Sequence, residues 1–490
     1  MVVWGSVVTT DARIAETHSA WVILLGDRAY KIKKPVTLDF LDFSTREARE
    51  AIAHREVELN RRLAPDVYLG VADVLGTDGE PCDHLVVMRR MPDDRRLATL
   101  VQASVPLDDE IRDIARVVAA FHERAERSPQ ISDAGGPEAL RAKVKTDLAQ
   151  MRAFAPEVLD PHVLDEVAIL VDRFLRGRTR LFDARVAGGF VRDGHGDLLA
   201  ADIFCLPDGP RILDCIEFDD RLRHGDVLAD LAFLAMDLER LGAPALATAL
   251  LTWYREFTAE THPATLADYS IACRALVRSK VACVRVTQGD DEARAEAGAL
   301  LELALDHLRG AQVRLVLVGG APGTGKSTLA RGIADQVGWS VLRSDEVRKD
   351  LVGIGHTVAA GADVEAGIYD RETTDATYRE LLARARVALE LGESMILDAS
   401  WSRSAHRGAA AQLADETSTD LVEVCCSAPA DIADARILLR RERGDASDAT
   451  PEIAAALRDA FDDWPRAHMV DTLDGADITL TKVLEYIGSA

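Results

Sequence analysis

The chain has 490 residues, 48% of them apolar, and a formal net charge of −24. That length exceeds what one hydrophobic core accommodates, so two or three domains are expected. A surface this acidic repels phosphate backbones and anionic lipid, which argues against broad nucleic-acid or membrane binding but leaves room for a local basic pocket. No apolar run reaches the roughly 18 residues that a membrane-spanning helix needs. The opening MVVWGSVVTTDARIAE lacks a basic stretch followed by an apolar one, and does not read as a secretory signal. The seven cysteines are scattered and form no CxxC pair. That pattern predicts reduced thiols packed as small apolar groups in a cytoplasmic protein, not a metal site.

Residues 1–95 read as mostly strand with one helix. AWVILLG and RAYKIKK are short runs separated at Gly26-Asp27, a hairpin signal. STREAREAIAHREVELNRRLA has apolar residues at helical spacing, with Ser44 as the candidate N-cap. VYLGVADVLGTDGEPCDHLVVMRRM reads as two strands around a Thr77-Asp78-Gly79 turn. Residues 96–310 read as chiefly helical. They are interrupted by GFVRDGHGDLLAADIFCLPDGPRILDCIEFDD, a loop and a hairpin turning between Pro207 and Pro210. From 311 to 490 the pattern changes. VRLVLVGG is a continuous apolar strand, and SVLRSDE, SMILDAS and TDLVEVCCS follow with helical stretches between them. That alternation predicts an α/β domain with a doubly wound parallel sheet.

GAPGTGKST, after an apolar strand and before a helical stretch, fits the phosphate-loop pattern G-x-x-x-x-G-K-[ST]. Gly320, Ala321, Pro322, Gly323, Thr324, Gly325, Lys326, Ser327 and Thr328 form it. Glycines allow the amides to turn inward around a phosphate, and the helix N-terminus adds partial positive charge. Lys326 supplies a point charge to the β- and γ-phosphate oxygens of ATP, and the Ser327 hydroxyl can ligate Mg²⁺. Asp345 and Arg348 follow the next strand. An aspartate there can accept a hydroxyl proton, while an N-capping role for Ser344 or Asp345 is the simpler alternative. Asp398 ends an apolar strand, in position to reach the Mg²⁺ shell or to cap the strand end. Arg436, Arg440, Arg441 and Arg443 crowd one segment, either as a solvated basic face or as a lid that clamps triphosphate, with Arg440 as the leading contact.

GAPGTGKST, SDEVRK, ILDASW and RERGDASDAT together resemble the small P-loop kinases of the gluconate-kinase, polynucleotide-kinase and zeta-toxin type. The resemblance implies transfer of the γ-phosphoryl group to a hydroxyl, and it covers about residues 313–490.

A second resemblance covers about residues 20–300. HGDLLAADIF is similar to the HGDxxxxN loop of aminoglycoside phosphotransferases and related protein-kinase-like small-molecule kinases. It implies that Asp197 accepts the hydroxyl proton. Asp202 stands where that loop has Asn, so a carboxylate would bind Mg²⁺ beside the γ-phosphate. RILDCIEFDDRLRHGDVLADLAFL resembles the family's segment carrying the second metal carboxylate. Matching IEF to IDF puts Glu217 there, with Asp219 and Asp214 as alternatives. Asp226 and Asp230 match acids that brace the loop. AYKIKKP resembles the strand bearing the phosphate-binding lysine and selects Lys33, with Lys31 on the same face. Glu56 is the expected partner of that lysine, and Glu58 the alternative. VVMRRM is placed like the strand that meets adenine. The family's Gly-rich loop is missing, and AETHSAW stands in its place. His122 reads as a helix brace.

The fold expected is therefore an α+β protein-kinase-like bilobal domain (1–95 and 96–310) followed by an α/β P-loop domain (311–490). The expected activity is ATP- and Mg²⁺-dependent phosphorylation of a small hydroxyl-bearing molecule at two sites. The alternatives are a single working P-loop site beside a degenerate binding or regulatory module, and a non-catalytic nucleotide-gated switch.

Overall fold

The structure is a computed structural model, described here for residues 13–16, 20–38, 41–356, 370–441 and 450–489. The chain divides into two compact units. The first comprises residues 1–167, 182–262 and 267–307; the second comprises 168–181, 263–266 and 308–490.

In the first unit, alternating short runs form a five-stranded antiparallel sheet. Its order is Arg13–Glu16, Ala20–Leu25, Arg28–Lys33, Pro81–Arg89 and Tyr68–Leu75. The second and third strands are joined by the two-residue turn at Gly26, whose φ of 60° suits a residue without a Cβ. The helix Arg46–Asn60 lies on this sheet and buries Ala53, Glu56, Val57 and Leu59. Its N-cap is Thr45, not Ser44: the Thr45 hydroxyl accepts the Ala48 amide at 3.1 Å. Ser44 instead gives its amide to Asp42 at 2.9 Å, one residue before the cap.

The helical part of this unit is built on apolar stripes. In Asp108–Arg124 the buried positions Ile111, Ile114, Ala115, Val118 and Phe121 recur at helical spacing. Three acids occupy its first turn and Arg124 its last, which complements the helix dipole. That helix packs on Pro244–Thr258, which also meets Val227–Arg240. Two small antiparallel ribbons cross the unit: Ile203–Leu206 with Gly209–Ile212, and Val191–Asp193 with His224–Asp226. Phe204 and Leu213 of this region join Ala53, Val57, Tyr68 and Val86 in one buried cluster, which fixes the sheet against the loop carrying Asp197.

The second unit has five parallel strands in the order Ser340–Arg343, Met395–Asp398, Arg314–Gly319, Asp420–Ser427 and His468–Asp471. The first strand in sequence is thus central, as a doubly wound sheet requires. Alternation divides its apolar residues between the faces. Leu315 and Leu317 join Leu381, Leu389 and Leu413 on one side; Val316 and Val318 join Leu329, Ile333 and Val483 on the other. Covering both faces explains why these strands read as unbroken apolar runs. Among the described residues, no helix is long and apolar enough to cross a membrane.

Candidate functional sites

In the second unit the loop Gly320–Ser327 leaves the central strand and enters the helix Lys326–Val337. Gly320 has φ 132°, and a Cβ there would stand 2.4 Å from the Cys426 carbonyl oxygen. Gly323 has φ 82°, and a Cβ would meet the Ala433 carbonyl oxygen at 2.3 Å. Only glycine satisfies both the dihedral and the space. The loop is pinned from three sides. The Gly320 amide donates to Ser400 O at 3.1 Å, Thr324 Oγ1 donates to Ala321 O at 2.8 Å, and Thr472 Oγ1 donates to Thr324 O at 2.9 Å. Arg436 holds Thr472 in turn, at 2.9 Å to its hydroxyl and 3.0 Å to its carbonyl. Arg436 therefore braces the loop, a role the sequence reading missed because Thr472 lies beyond the last strand with no motif to mark it. The Arg440 side chain and Arg443 lie outside the described residues, and Arg441 is described only in its backbone.

Asp398 ends its strand 3% exposed, and its Oδ1 has no hydrogen-bond partner. Oδ2 lies 3.4 Å from Arg343 Nε. Burial pushes the Asp398 carboxyl up, against the pull of Lys326, Ser327 and Arg343. An orphaned buried oxygen beside the Ser327 hydroxyl and a glycine cradle fits Mg²⁺ on a triphosphate; Ser327 and Asp398 would hold it. Asp345 lies in the first turn of Ser344–Val352, whose N-cap is Arg343 with no side-chain cap bond. Neither Ser344 nor Asp345 is the cap, and Asp345 faces Asp398 and Tyr378 closely enough to influence both electrostatically. Arg348 is buried and donates to Thr374 Oγ1 at 3.0 Å. Tyr378 contacts Ser400 Oγ at 3.2 Å and accepts the Trp401 amide at 3.0 Å. Beside the loop, a cavity of about 710 Å³ is lined by Gly323, Thr328, Arg436, Thr472, Leu473 and Leu480, among others.

In the first unit, Lys31 and Lys33 alternate to one face of their strand and share one carboxylate. Lys33 Nζ lies 2.7 Å from Glu56 Oε2, and Lys31 Nζ lies 2.9 Å from Glu56 Oε1. Glu56 is fully buried, whereas Glu58 is exposed and pairs with Arg55. Lys31 also meets Asp214 at 2.6 Å, and Lys33 meets Glu217. The Lys31 ammonium holds the Asp214 carboxyl down at about 2. Burial raises Glu217, with Lys33 opposing it. Asp219 Oδ1 accepts the Arg221 amide at 3.0 Å and Oδ2 accepts its guanidinium at 2.8 Å, closing a local turn. The three candidate metal carboxylates of this segment are thus each engaged by a cationic side chain. As arranged, Glu217 and Asp214 carry ammonium groups where a divalent ion would sit, and do not fit one.

Asp197 lies at the end of a braced loop. Asp230 accepts the amides of His195 and Gly196, both at 2.8 Å, and meets His122 Nε2 at 2.9 Å. His122 Nδ1 pairs with the Tyr254 hydroxyl at 2.8 Å, so it is a brace. Asp226 caps the helix Val227–Arg240 and meets Arg185. Burial pushes the Asp197 carboxyl up to about 6, against Arg278, whose Nη1 lies 3.7 Å away. Burial, Asp214 and Asp197 together push the Asp202 carboxyl well above its ordinary value. Arg278 escaped sequence reasoning because it sits on the distant helix Ala264–Thr287 with nothing to link it to the loop.

The raised Asp197 carboxyl has a stability consequence. Between roughly pH 4 and pH 6 the folded chain keeps a proton that the unfolded chain has lost. Stability therefore falls as pH rises through that interval and stays lower above it. Asp197→Asn is expected to match the wild-type Tm near pH 4 and to exceed it by at least about 2 °C above pH 6. Differential scanning calorimetry across pH 4–8 checks this; a Tm difference unchanged with pH would refute it.

Residues 315–463 match a family model described as an AAA domain. Among solved structures, a choline/ethanolamine kinase family protein from Mesorhizobium loti is 16% identical, with a TM-score of 0.38, covering 62% of this chain and 93% of that one. The GDP complex of aminoglycoside 2'-phosphotransferase-IIIa is 15% identical, with a TM-score of 0.41, covering 61% and 93%. A gluconokinase from Sinorhizobium meliloti is 18% identical, with a TM-score of 0.24, covering 36% and 90%. The sequence relatives run nearly end to end. "Uncharacterized protein Mb2027c" of Mycobacterium bovis and "Uncharacterized protein Rv2004c" of Mycobacterium tuberculosis are each 46% identical over 459 residues, 94% of this chain and 92% of theirs. That identity runs across both units, and the chain belongs to the family of these mycobacterial proteins.

Proposed function

We propose that the chain is an ATP-dependent phosphotransferase that moves the γ-phosphoryl group to a hydroxyl of a small molecule. It does so at the P-loop site and at a second site around Asp197. The observation that carries the reading is in the second unit. The glycine cradle, Lys326 and the orphaned Asp398 oxygen converge beside Asp345. There the loop amides and Lys326 hold phosphate oxygens, and the neighbouring cavity takes the nucleoside. Mg²⁺, if held by Ser327 and Asp398, would supply neutralising charge to the triphosphate. Asp345 takes the acceptor proton as its oxygen bonds to the γ-phosphorus. The bond to the β–γ bridging oxygen breaks and ADP leaves. Arg348 and Tyr378 border the acceptor side.

A second reading, in which only the P-loop site is catalytic, is favoured by one observation: Asp214 and Glu217 are engaged by Lys31 and Lys33. The two readings separate in full-length variants assayed for ATP turnover against sugars, amino sugars and nucleosides. Asp345→Ala is expected to lower turnover by about 10²–10⁴-fold for acceptors of the P-loop site. Asp197→Ala is expected to do the same for a different set of acceptors. If Asp197→Ala changes nothing while Asp345→Ala abolishes all transfer, the single-site reading stands. If neither changes anything, both base assignments are wrong.

A further inference from the structure

Asp197 sits on a loop that one helix holds at both ends. The loop runs from His195 to the single turn Ala200–Asp202. At its near end, Asp230 of Val227–Arg240 accepts the His195 and Gly196 amides, each at 2.8 Å. Asp237 lies two turns farther along the same face of that helix. Its Oδ2 accepts the Ala200 amide at 2.9 Å. The turn at Ala200 gets no help from its own cap, because Leu199 offers no side-chain acceptor. The Asp202 amide closes the turn on Leu199 O at 3.0 Å, and Arg96 donates to Ala201 O. Neither bond serves the Ala200 amide, and Ala200 has no exposure to water. A buried amide without an acceptor is costly, so the distant carboxylate serves as the N-cap of the turn. Asp237 is itself 2% exposed, and a carboxylate so buried needs donors on both oxygens. Arg240 supplies Oδ1, from Nε at 2.8 Å and Nη2 at 2.7 Å. The two oxygens thus have separate duties, Oδ2 toward the loop and Oδ1 toward the arginine. Leu198 and Leu199, between the anchors, are buried and tie the loop to the core along its length.

We propose that Asp237 is a positioning residue for Asp197: by holding the Ala200 amide it fixes the far end of the loop that Asp230 fixes at the near end. This rests on the reading of Asp197 as the base of a phosphotransfer site. Asp226 and Asp230 are the braces that the sequence resemblance implies, and Asp237 is not among them. With one anchor gone, the loop pivots about Asp230 and carries Asp197 away from the acceptor hydroxyl. A base misplaced by about 1 Å loses rate on the order of a hundredfold, while nucleotide binding elsewhere in the site is little changed.

Two readouts on the full chain test this. The first is amide hydrogen exchange resolved to single residues by mass spectrometry. Asp237→Ala should speed exchange of the Ala200 amide at least about tenfold and leave the Gly196 amide within about threefold, since Asp230 still holds it. Asp237→Asn keeps an acceptor for Ala200, and Arg240→Ala leaves Oδ2 in place, so both should exchange Ala200 near the wild-type rate. The second readout is turnover in a Lys326→Ala background, so that it reports the first unit, with glucose, glucosamine and uridine as acceptors. Asp237→Ala should lower kcat by about 10–100-fold with the KM for ATP within about threefold, and Asp237→Asn should restore most of kcat. Should the alanine variant not fold, Asp237→Leu, of like size and without an acceptor, is read in its place. Unchanged exchange at Ala200 overturns the proposal. So does Arg240→Ala matching Asp237→Ala, which would make the ion pair the anchor. Faster exchange with kcat unchanged overturns the positioning role and leaves phosphotransfer at Asp197 standing. Faster exchange in a background that turns over no ATP at all upholds the two-point hold on the loop and removes the phosphotransfer reading.

Discussion

Lys326→Ala is expected to lower ATP turnover at the P-loop site by about 10²–10³-fold, the scale on which losing one preorganised charge at a developing phosphate costs rate. Lys326 is the first residue of its helix and half-buried, so it adds a full charge to the partial charge of the helix N-terminus. Its field also offsets the buried Asp398 carboxyl. Without it, the cradle keeps its shape but loses the charge that holds the γ-phosphate, and Asp398 becomes harder to ionise. The fold should survive, because the glycines and the Thr324–Thr472–Arg436 brace do not depend on Lys326. Steady-state ATP turnover together with fluorescent-nucleotide titration of the full chain tests this. Unchanged turnover would exclude the loop from catalysis.

Glu56→Ala should have the largest effect on stability, lowering that of the first unit by about 3–5 kcal/mol. Glu56 has no exposure and its two oxygens meet Lys31 and Lys33 at 2.9 and 2.7 Å. Removing it leaves two adjacent buried ammonium groups with only Asp214 and Glu217 to compensate. Glu58→Ala, on the same helix, removes an exposed pair with Arg55 and should cost no more than about 0.5 kcal/mol. Native-state hydrogen exchange of the amides in Arg46–Asn60 reads both changes. Equal protection in the two variants would show that the Glu56 network does not hold the helix to the sheet. Turnover at the Asp197 site should fall with the Glu56 variant, since Lys33 would lose its fixed position.

Much was legible before any tertiary structure, for identifiable reasons. The parallel strands are covered on both faces, so Leu315 to Val318 read as one apolar run. The phosphate loop declares itself because its glycines satisfy local dihedral and contact limits, as Gly320 and Gly323 do. Lys33 and Glu56 were paired from the resemblance alone, and they meet at 2.7 Å. The cap at Thr45 was missed by one residue because Ser44 and Thr45 carry the same chemistry, and only the path of the backbone chooses between them.

The sequence by itself determined the phosphate loop, the change of period near residue 310 and the loop carrying Asp197, since each depends on residues close in the chain. Tertiary structure alone decided where charges meet across it. Asp214 and Glu217 turn to Lys31 and Lys33, Asp219 closes a local turn, and Arg278 approaches Asp197 at 3.7 Å. Electrostatic energy depends on distance and burial in space, and neither can be read from separation along the chain. The phosphate loop could thus be found in nine consecutive letters, while the approach of Arg278 to Asp197 had to await the packing of the helix Ala264–Thr287.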